Sequence, residues 1–169
     1  MKILISFCLL ICLLSCGNTE ENTGNVEEDS NLPNLTKEQV QNLKFTEYLQ
    51  DAKVKAYTQN WVQYNELENI MENLKQANVA YFKDNHEILE SLTKDLKANI
   101  PEQLNAPSIM SRLIALETKL YKLESVVNLS NTTPDAIISH IKEVLVSFSD
   151  LNLQMNKKLE RESQKIIKP

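Results

Sequence analysis

The chain has 169 residues and a net charge of −5, from 18 Lys and Arg against 23 Asp and Glu. Its basic residues are scattered, with arginine only at Arg112 and Arg161, so it lacks the basic patch that grips nucleic acid, and no nucleic-acid partner is expected. Glycine occurs only at Gly17 and Gly24, and neither glycine nor proline falls between Asn34 and Ile100, which argues against β-hairpins and phosphate-cradling loops.

In chain order, Lys2 supplies a positive start and Ile3 to Leu14 form an apolar run too short to span a bilayer. Leu13-Leu14-Ser15-Cys16-Gly17 follows, and it resembles the lipobox of bacterial lipoproteins. Leu14 departs from the usual pattern, in which Ala or Ser is commoner. The resemblance implies that residues 1–15 are a signal peptide and that Cys16 heads the mature chain. The Cys16 thiol then carries a diacylglycerol and its amine an acyl chain, and two or three buried chains give stable anchoring where one would not. The implied address is the bacterial cell envelope, at the outer membrane on its periplasmic face or the cell surface. Cys8 and Cys12 leave with the signal and Cys16 is consumed by lipid, so no disulfide or thiolate metal site remains.

Residues 16–34 read as the lipidated cysteine and a disordered acidic tether, with Glu20, Glu21, Glu27, Glu28 and Asp29 and almost no apolar side chains. The early acids resemble the surface-export signals of lipoproteins in Bacteroidota. The mature region resembles small helical lipoproteins of that group, flavobacteria included, in its Asn- and Lys-rich style. That likeness covers no motif and implies no site residues.

From residue 35 the apolar period is helical. The first helix opens at Thr36, with Gln39 three residues on as a capping box and Leu35 and Val40 as a hydrophobic staple. Val40, Leu43, Val54, Tyr57, Trp61, Tyr64, Leu67, Met71 and Leu74 form its stripe, mostly at three- and four-residue steps. It reads as continuous to Gln76-Ala77, or alternatively as broken near Gln59-Asn60 into a five-helix chain. A second helix, capped by Asn78, carries Phe82, Leu89, Leu92 and Leu96 and ends before Pro101. A third carries Ile109, Leu113, Leu116, Leu120, Leu123 and Val127 on one narrow seam, with Pro107 in its first turn and Asn105 or Ser108 as cap. The fourth starts at Thr133-Pro134-Asp135, a hydroxyl cap, a proline where no donor is needed and an acid at the positive helix end. It carries Ile138, Ile141, Leu145, Phe148, Met155, Leu159 and Ile166, with Lys165 and Lys168 at its C-terminal end.

Short connections make successive helices antiparallel neighbours. The expected fold is all-α, an up-down-up-down four-helix bundle over residues 35–168. Its long first and last helices are expected to form a two-helix extension from residues 36–54 and 156–167, pointing toward the membrane.

No pattern for catalysis emerges. Di-iron bundles use Glu-x-x-His pairs, but Lys83 and Ile137 stand three residues before His86 and His140. Glu90 and Glu143 read as solvated neighbours of those histidines. Covalent haem lacks its Cys-x-x-Cys-His, and Met71, Met110 and Met155 read as core filling. Gly-x-Ser-x-Gly and His-Glu-x-x-His are absent, and Ser91, Ser111 and Ser147 have no histidine nearby in sequence. No enzyme, metal or cofactor is therefore expected.

Tyr57, Trp61 and Tyr64, at i, i+4 and i+7, would share one face of the first helix. They read either as an interaction face, since Trp and Tyr favour interfaces, or as a core cluster where the extension meets the bundle. Adjacent Tyr81 and Phe82 cannot both point inward. Lys53, Lys55, Lys157, Lys158 and Arg161 alternate with Asp51, Glu160 and Glu162, a solvated face. The functional expectation is a membrane-anchored, non-enzymatic protein-interaction or structural module with an envelope protein as partner. The alternative is a small-ligand-binding or sensor bundle with an apolar cavity between helices.

Overall fold

The computed structural model describes residues 34–164, and these form helices and turns with no strand among them. Residues 1–15, Cys16 with the tether up to residue 33, Lys165, Ile166 and Lys168 lie outside the described residues. The helices are α1 (Lys37–Gln41), α2 (Ala52–Thr58), α3 (Val62–Lys75), α4 (His86–Ala98), α5 (Pro107–Val127) and α6 (Pro134–Ser163). Short 3-10 turns at Ala80–Phe82 and Glu102–Leu104 precede α4 and α5. None of the described helices is long and apolar enough to cross a membrane.

The α5–α6 hairpin is the main pairing of the fold. Pro107 and Pro134 each stand in a first turn, and the Thr133 hydroxyl accepts from the Ala136 N–H at 3.3 Å. The whole α5 seam, Ile109, Leu113, Leu116, Leu120, Leu123 and Val127, is buried. It shares the core with Ile137, Ile141, Val144, Leu145, Leu151 and Met155 of α6. Each such side chain contributes roughly 1.5–3 kcal/mol by leaving water, so this core carries most of the stability. Lys119–Glu143 at 2.9 Å and Arg112–Asp150 at 3.5 Å bridge the two helices outside it.

The second expected helix is shorter than its stripe suggested. Leu89, Leu92 and Leu96 are buried on α4 as expected, but the helix begins at His86 and not at Asn78. Asp84 takes a positive φ of 52°, which no helix tolerates. Asn128 fixes that turn by accepting from the Asp84 N–H at 3.0 Å and donating to the Phe82 carbonyl at 2.8 Å. Asn78 instead accepts from the Ala80 N–H at 3.0 Å, so it organises the 3-10 turn. Phe82 is buried and Tyr81 partly exposed, its hydroxyl 3.4 Å from Glu66.

The continuous first helix and the two-helix extension are not present, and the reason lies on α6. Thr36 and Gln39 form the expected capping box, but α1 ends at Gln41. Residues 43–51 then run as a non-helical strap along α6. Ser149, Asn152 and Asn156 lie three and four residues apart, so one polar row of α6 faces the strap. Ser149 Oγ accepts from the Tyr48 N–H at 2.7 Å and donates to the Thr46 carbonyl at 3.0 Å. Asn152 donates to the Tyr48 carbonyl at 3.3 Å. Asn156 donates to the Leu49 carbonyl at 2.8 Å and accepts from the Asp51 N–H at 2.9 Å. A strap whose backbone is met this way does not need helical bonds. The chain breaks again at Gln59-Asn60, the alternative that the sequence left open, and Asn65 donates to the exposed Gln59 carbonyl at 3.1 Å. The far end of α6 is covered by α2 and by the turn before α5, where Lys158 donates to the Gln103 carbonyl at 2.6 Å.

Candidate functional site

Trp61, Tyr64 and Phe148 form a continuous stack, with ring centroids 5.4 Å and 5.6 Å apart. Trp61 and Tyr64 are buried, whereas Tyr57 is exposed. The three residues singled out in sequence therefore do not make one face. Their helical spacing holds only inside a continuous helix, and the break between Thr58 and Val62 turns Tyr57 away from the other two. The Tyr64 hydroxyl donates to Asn152 Oδ1 at 2.6 Å. Burial, and next the negative charge of Glu68, push its pKa up, so it stays a neutral phenol. These rings lie between α3 and α6.

A cleft of about 330 Å3 opens beside this stack, between the strap, α2, α3 and α6. Its floor is apolar, with Met71 buried and Phe148 half-buried. Glu47 and Gln50 of the strap, Lys55 of α2, Glu68 of α3 and Asn152 of α6 stand around it. Lys75 closes one side by donating to Glu47 at 2.6 Å and Glu72 at 2.8 Å. Burial alone would lower the Lys75 pKa, but these two bonds outweigh it and the group sits above its ordinary value. One ammonium thus ties together two carboxylates, and the trio keeps one negative charge.

Lys55 and Glu68 complete the charged lining. Glu68 and Lys55 make no ion pair among the described residues. Burial holds the Glu68 carboxyl above the usual carboxylate range, against the pull of the Lys55 charge. Gln50 accepts from the Thr58 hydroxyl at 3.0 Å, but its buried amide nitrogen has no hydrogen-bond partner among the described residues. A buried donor left unmet costs about 1–3 kcal/mol, so such groups are rare in folded chains. Sequence reading passed over this site. Its one visible signal was the polar interruption at Ser149 and Asn152 between Phe148 and Met155 in the apolar stripe of the last helix.

A second groove, also about 330 Å3, lies between α3 and α4. Leu92 forms its buried floor and Ile88 is exposed at its edge. Glu66, Glu87 and Asp95 rim it, each without an ion pair among the described residues. The Glu66 charge adds to burial in pushing the Tyr81 phenol up to about 12.

The histidines are spread apart. His86 Nδ1 lies 3.5 Å from Glu124 and His140 Nδ1 lies 3.6 Å from Glu143. Among the described residues no three His, Cys, Asp or Glu side chains cluster as a metal site would require. Ser91 pairs with Asp95 at 3.5 Å and Ser111 with the Pro107 carbonyl at 2.9 Å, so neither faces a histidine base. Compared with known protein families, curated proteins and solved structures, the chain matches none of them.

Proposed function

We propose that this chain is a lipid-anchored protein of the bacterial cell envelope, held at the outer membrane, and that its helical domain is a non-enzymatic interaction module. The reading is carried by Leu13-Leu14-Ser15-Cys16-Gly17 behind a short apolar run. A thiol in that setting accepts lipid, and the acidic stretch after it gives the domain reach from the surface. In this reading α3 to α6 act as a four-helix scaffold, supported by their short connections and buried stripes. The α3–α4 groove supports an envelope protein as partner. Its apolar floor and carboxylate rim suit a segment that carries an apolar side chain flanked by Lys or Arg.

The test is direct. The full chain is expressed in a bacterium fed an alkyne-bearing fatty acid, and detergent-phase partition is measured. Wild type is expected in the detergent phase with label, and Cys16→Ser in the aqueous phase without it. Label that persists on Cys16→Ser ends the lipid-anchor reading. Cross-linking in the same cells checks the partner. A stoichiometric partner captured by wild type is expected to be lost from Ile88→Glu.

A second reading, small-ligand binding, is favoured by one observation. The strap cleft is lined by charged and polar side chains from three helices and the strap, and the buried Gln50 amide nitrogen beside it has no hydrogen-bond partner among the described residues. A ligand that binds only the folded state raises the melting temperature, so small-molecule extracts added to the purified chain test this reading.

A further inference from the structure

We propose that the strap is a two-state element: residues 43–51 lie along α6 in one state, and in the other they leave it and join α1 and α2 as a single helix. The argument starts from local preference. The strap and its flanks contain neither glycine nor proline, and the segments on both sides of it are already helical. Three side chains of α6 hold the strap out of that helix. Ser149, Asn152 and Asn156 take up two of its N–H groups, at Tyr48 and Asp51, and three of its carbonyls, at Thr46, Tyr48 and Leu49. Every one of those groups would find a partner within a helix instead.

The docked state is incompletely satisfied. Leu49 is 73 % exposed and Tyr48 38 %, while the buried Gln50 amide nitrogen has no hydrogen-bond partner among the described residues. Clefts of about 330 and 320 Å3 open beside the strap, both lined by Glu47 and Lys75, so the strap spans gaps that a packed element would fill. The Glu47–Lys75 pair that ties it to α3 is partly exposed on both sides and contributes little. Against these stand the burial of Val40 on α1 and the five bonds to α6. Local preference and tertiary contact thus pull in opposite directions, which brings two states close in free energy.

The second state has defined properties. A helix from Lys37 to Thr58 has about 22 residues, past the roughly 12–15 at which isolated helices are marginal, and spans about 33 Å. Its formation frees the Gln50 amide to meet water. It also bares Met71, Phe148 and Leu145, which line the two clefts together with the strap. The device therefore sets whether the segment ahead of α1 meets the bundle through a docked strap or through a helical rod, and couples that choice to the exposure of the α3–α6 surface.

The experiment uses the full chain in mild detergent, with amide exchange read by NMR and helical content by circular dichroism at 222 nm. In wild type the Tyr48 and Asp51 amides are expected to exchange at least tenfold faster than those of the α5 seam, with a weaker dependence on denaturant, as local opening does. Ser149→Ala combined with Asn156→Ala is expected to release the strap and to raise the helical signal by about a tenth, as the strap residues join the helices. Leu49→Pro separates a helical open state from a disordered one. Leu49 is exposed and its N–H makes no backbone bond, so proline there blocks the helix and spares the docked strap. It is expected to slow exchange at Tyr48 and Asp51 at least threefold, and to abolish the gain at 222 nm in the double variant. Protection along α5 shows that each protein is folded. Should the double variant not fold, the milder Asn156→Ala carries the same comparison. A released strap without a gain in helical signal overturns the proposal. So does exchange at Tyr48 and Asp51 no faster than in α5, or Leu49→Pro with no effect on either readout.

Discussion

Asn156 on α6 holds Asp51, the residue that opens α2, by accepting its N–H at 2.9 Å, and the same side chain donates to the Leu49 carbonyl at 2.8 Å. One amide thereby pairs with two backbone groups on alternate residues, as an adjacent strand would. Asp51 makes no side-chain cap of its own, so the start of α2 is set from another element. Asn156→Ala is expected to cost about 1–2 kcal/mol, the net worth of two exposed hydrogen bonds. Amide exchange checks the location of the effect. The Asp51 amide should lose protection while the α5 seam keeps its own. Unchanged exchange at Asp51 would show that the strap is held by something else.

Asn152 is the costlier member of the same polar row because it is buried. It joins two neighbours, accepting from the Tyr64 hydroxyl at 2.6 Å and donating to the Tyr48 carbonyl at 3.3 Å. Asn152→Leu keeps the volume but strands both groups, so a loss of about 2–4 kcal/mol is expected. In the Tyr64→Phe background the Tyr64 hydroxyl is already gone, and the loss should shrink. A denaturation cycle over the four proteins measures that coupling.

The contrast between α5 and the strap shows what local pattern can and cannot specify. The α5 seam was legible because six apolar residues repeat with one period and every one of them is buried. Thr133-Pro134 was legible because capping is chemistry between residues three apart. The strap was not legible. Residues 43–51 contain no breaker, and only partners about a hundred positions away, at Ser149, Asn152 and Asn156, draw them out of a helix. The cleft inherits that difficulty, since Gln50, Lys55 and Glu68 meet only once the strap is in place. The polar gap in the α6 stripe was the one local trace of both.

Trp61 tests the core role of the aromatic stack. Its indole is buried against Tyr64, and its Nε1 has no hydrogen-bond partner among the described residues. Trp61→Ala is expected to cost about 3–5 kcal/mol through the cavity it leaves. Trp61→Phe should recover much of that, because no hydrogen bond is lost with the indole. Urea midpoints of the three proteins give the comparison, and equal midpoints for Trp61→Ala and wild type would remove Trp61 from the core.

Ala77 carries a cost that one substitution relieves. α3 ends in a Schellman turn, with the Ala77 N–H on the Leu74 carbonyl at 2.9 Å and the Asn78 N–H on the Asn73 carbonyl at 3.0 Å. That turn needs a left-handed residue, and Ala77 supplies it at φ 64°. Glycine takes this conformation freely, whereas a side chain there costs roughly 1–2 kcal/mol. Part of the gain is offset by the greater freedom of glycine in the unfolded chain. Ala77→Gly is expected to stabilise the domain by about 0.5–1 kcal/mol, read as a higher denaturant midpoint at unchanged slope. A lower midpoint would mean that the alanine methyl makes a packing contribution larger than the strain.

Glu68 gives the fold a pH dependence with a definite sign. Burial raises its pKa in the folded state from the ordinary 4.5, and the unfolded chain has no such burial. The folded state therefore binds this proton more tightly, and the ionised carboxylate weakens the fold at every pH above the raised value. As pH falls through that value toward 4.5, the folded state takes up the proton first and the penalty disappears. Glu68→Gln mimics the protonated form at all pH. It is expected to melt higher than wild type at pH 7, with the gap closing as pH approaches 4. Glu68 is only half-buried, so solvent keeps the gap small. Melting curves of both proteins from pH 4 to 7.5 decide the matter. A gap of constant size would assign the effect to packing or hydrogen bonding, whereas a gap that closes on acidification assigns it to the half-buried Glu68 charge.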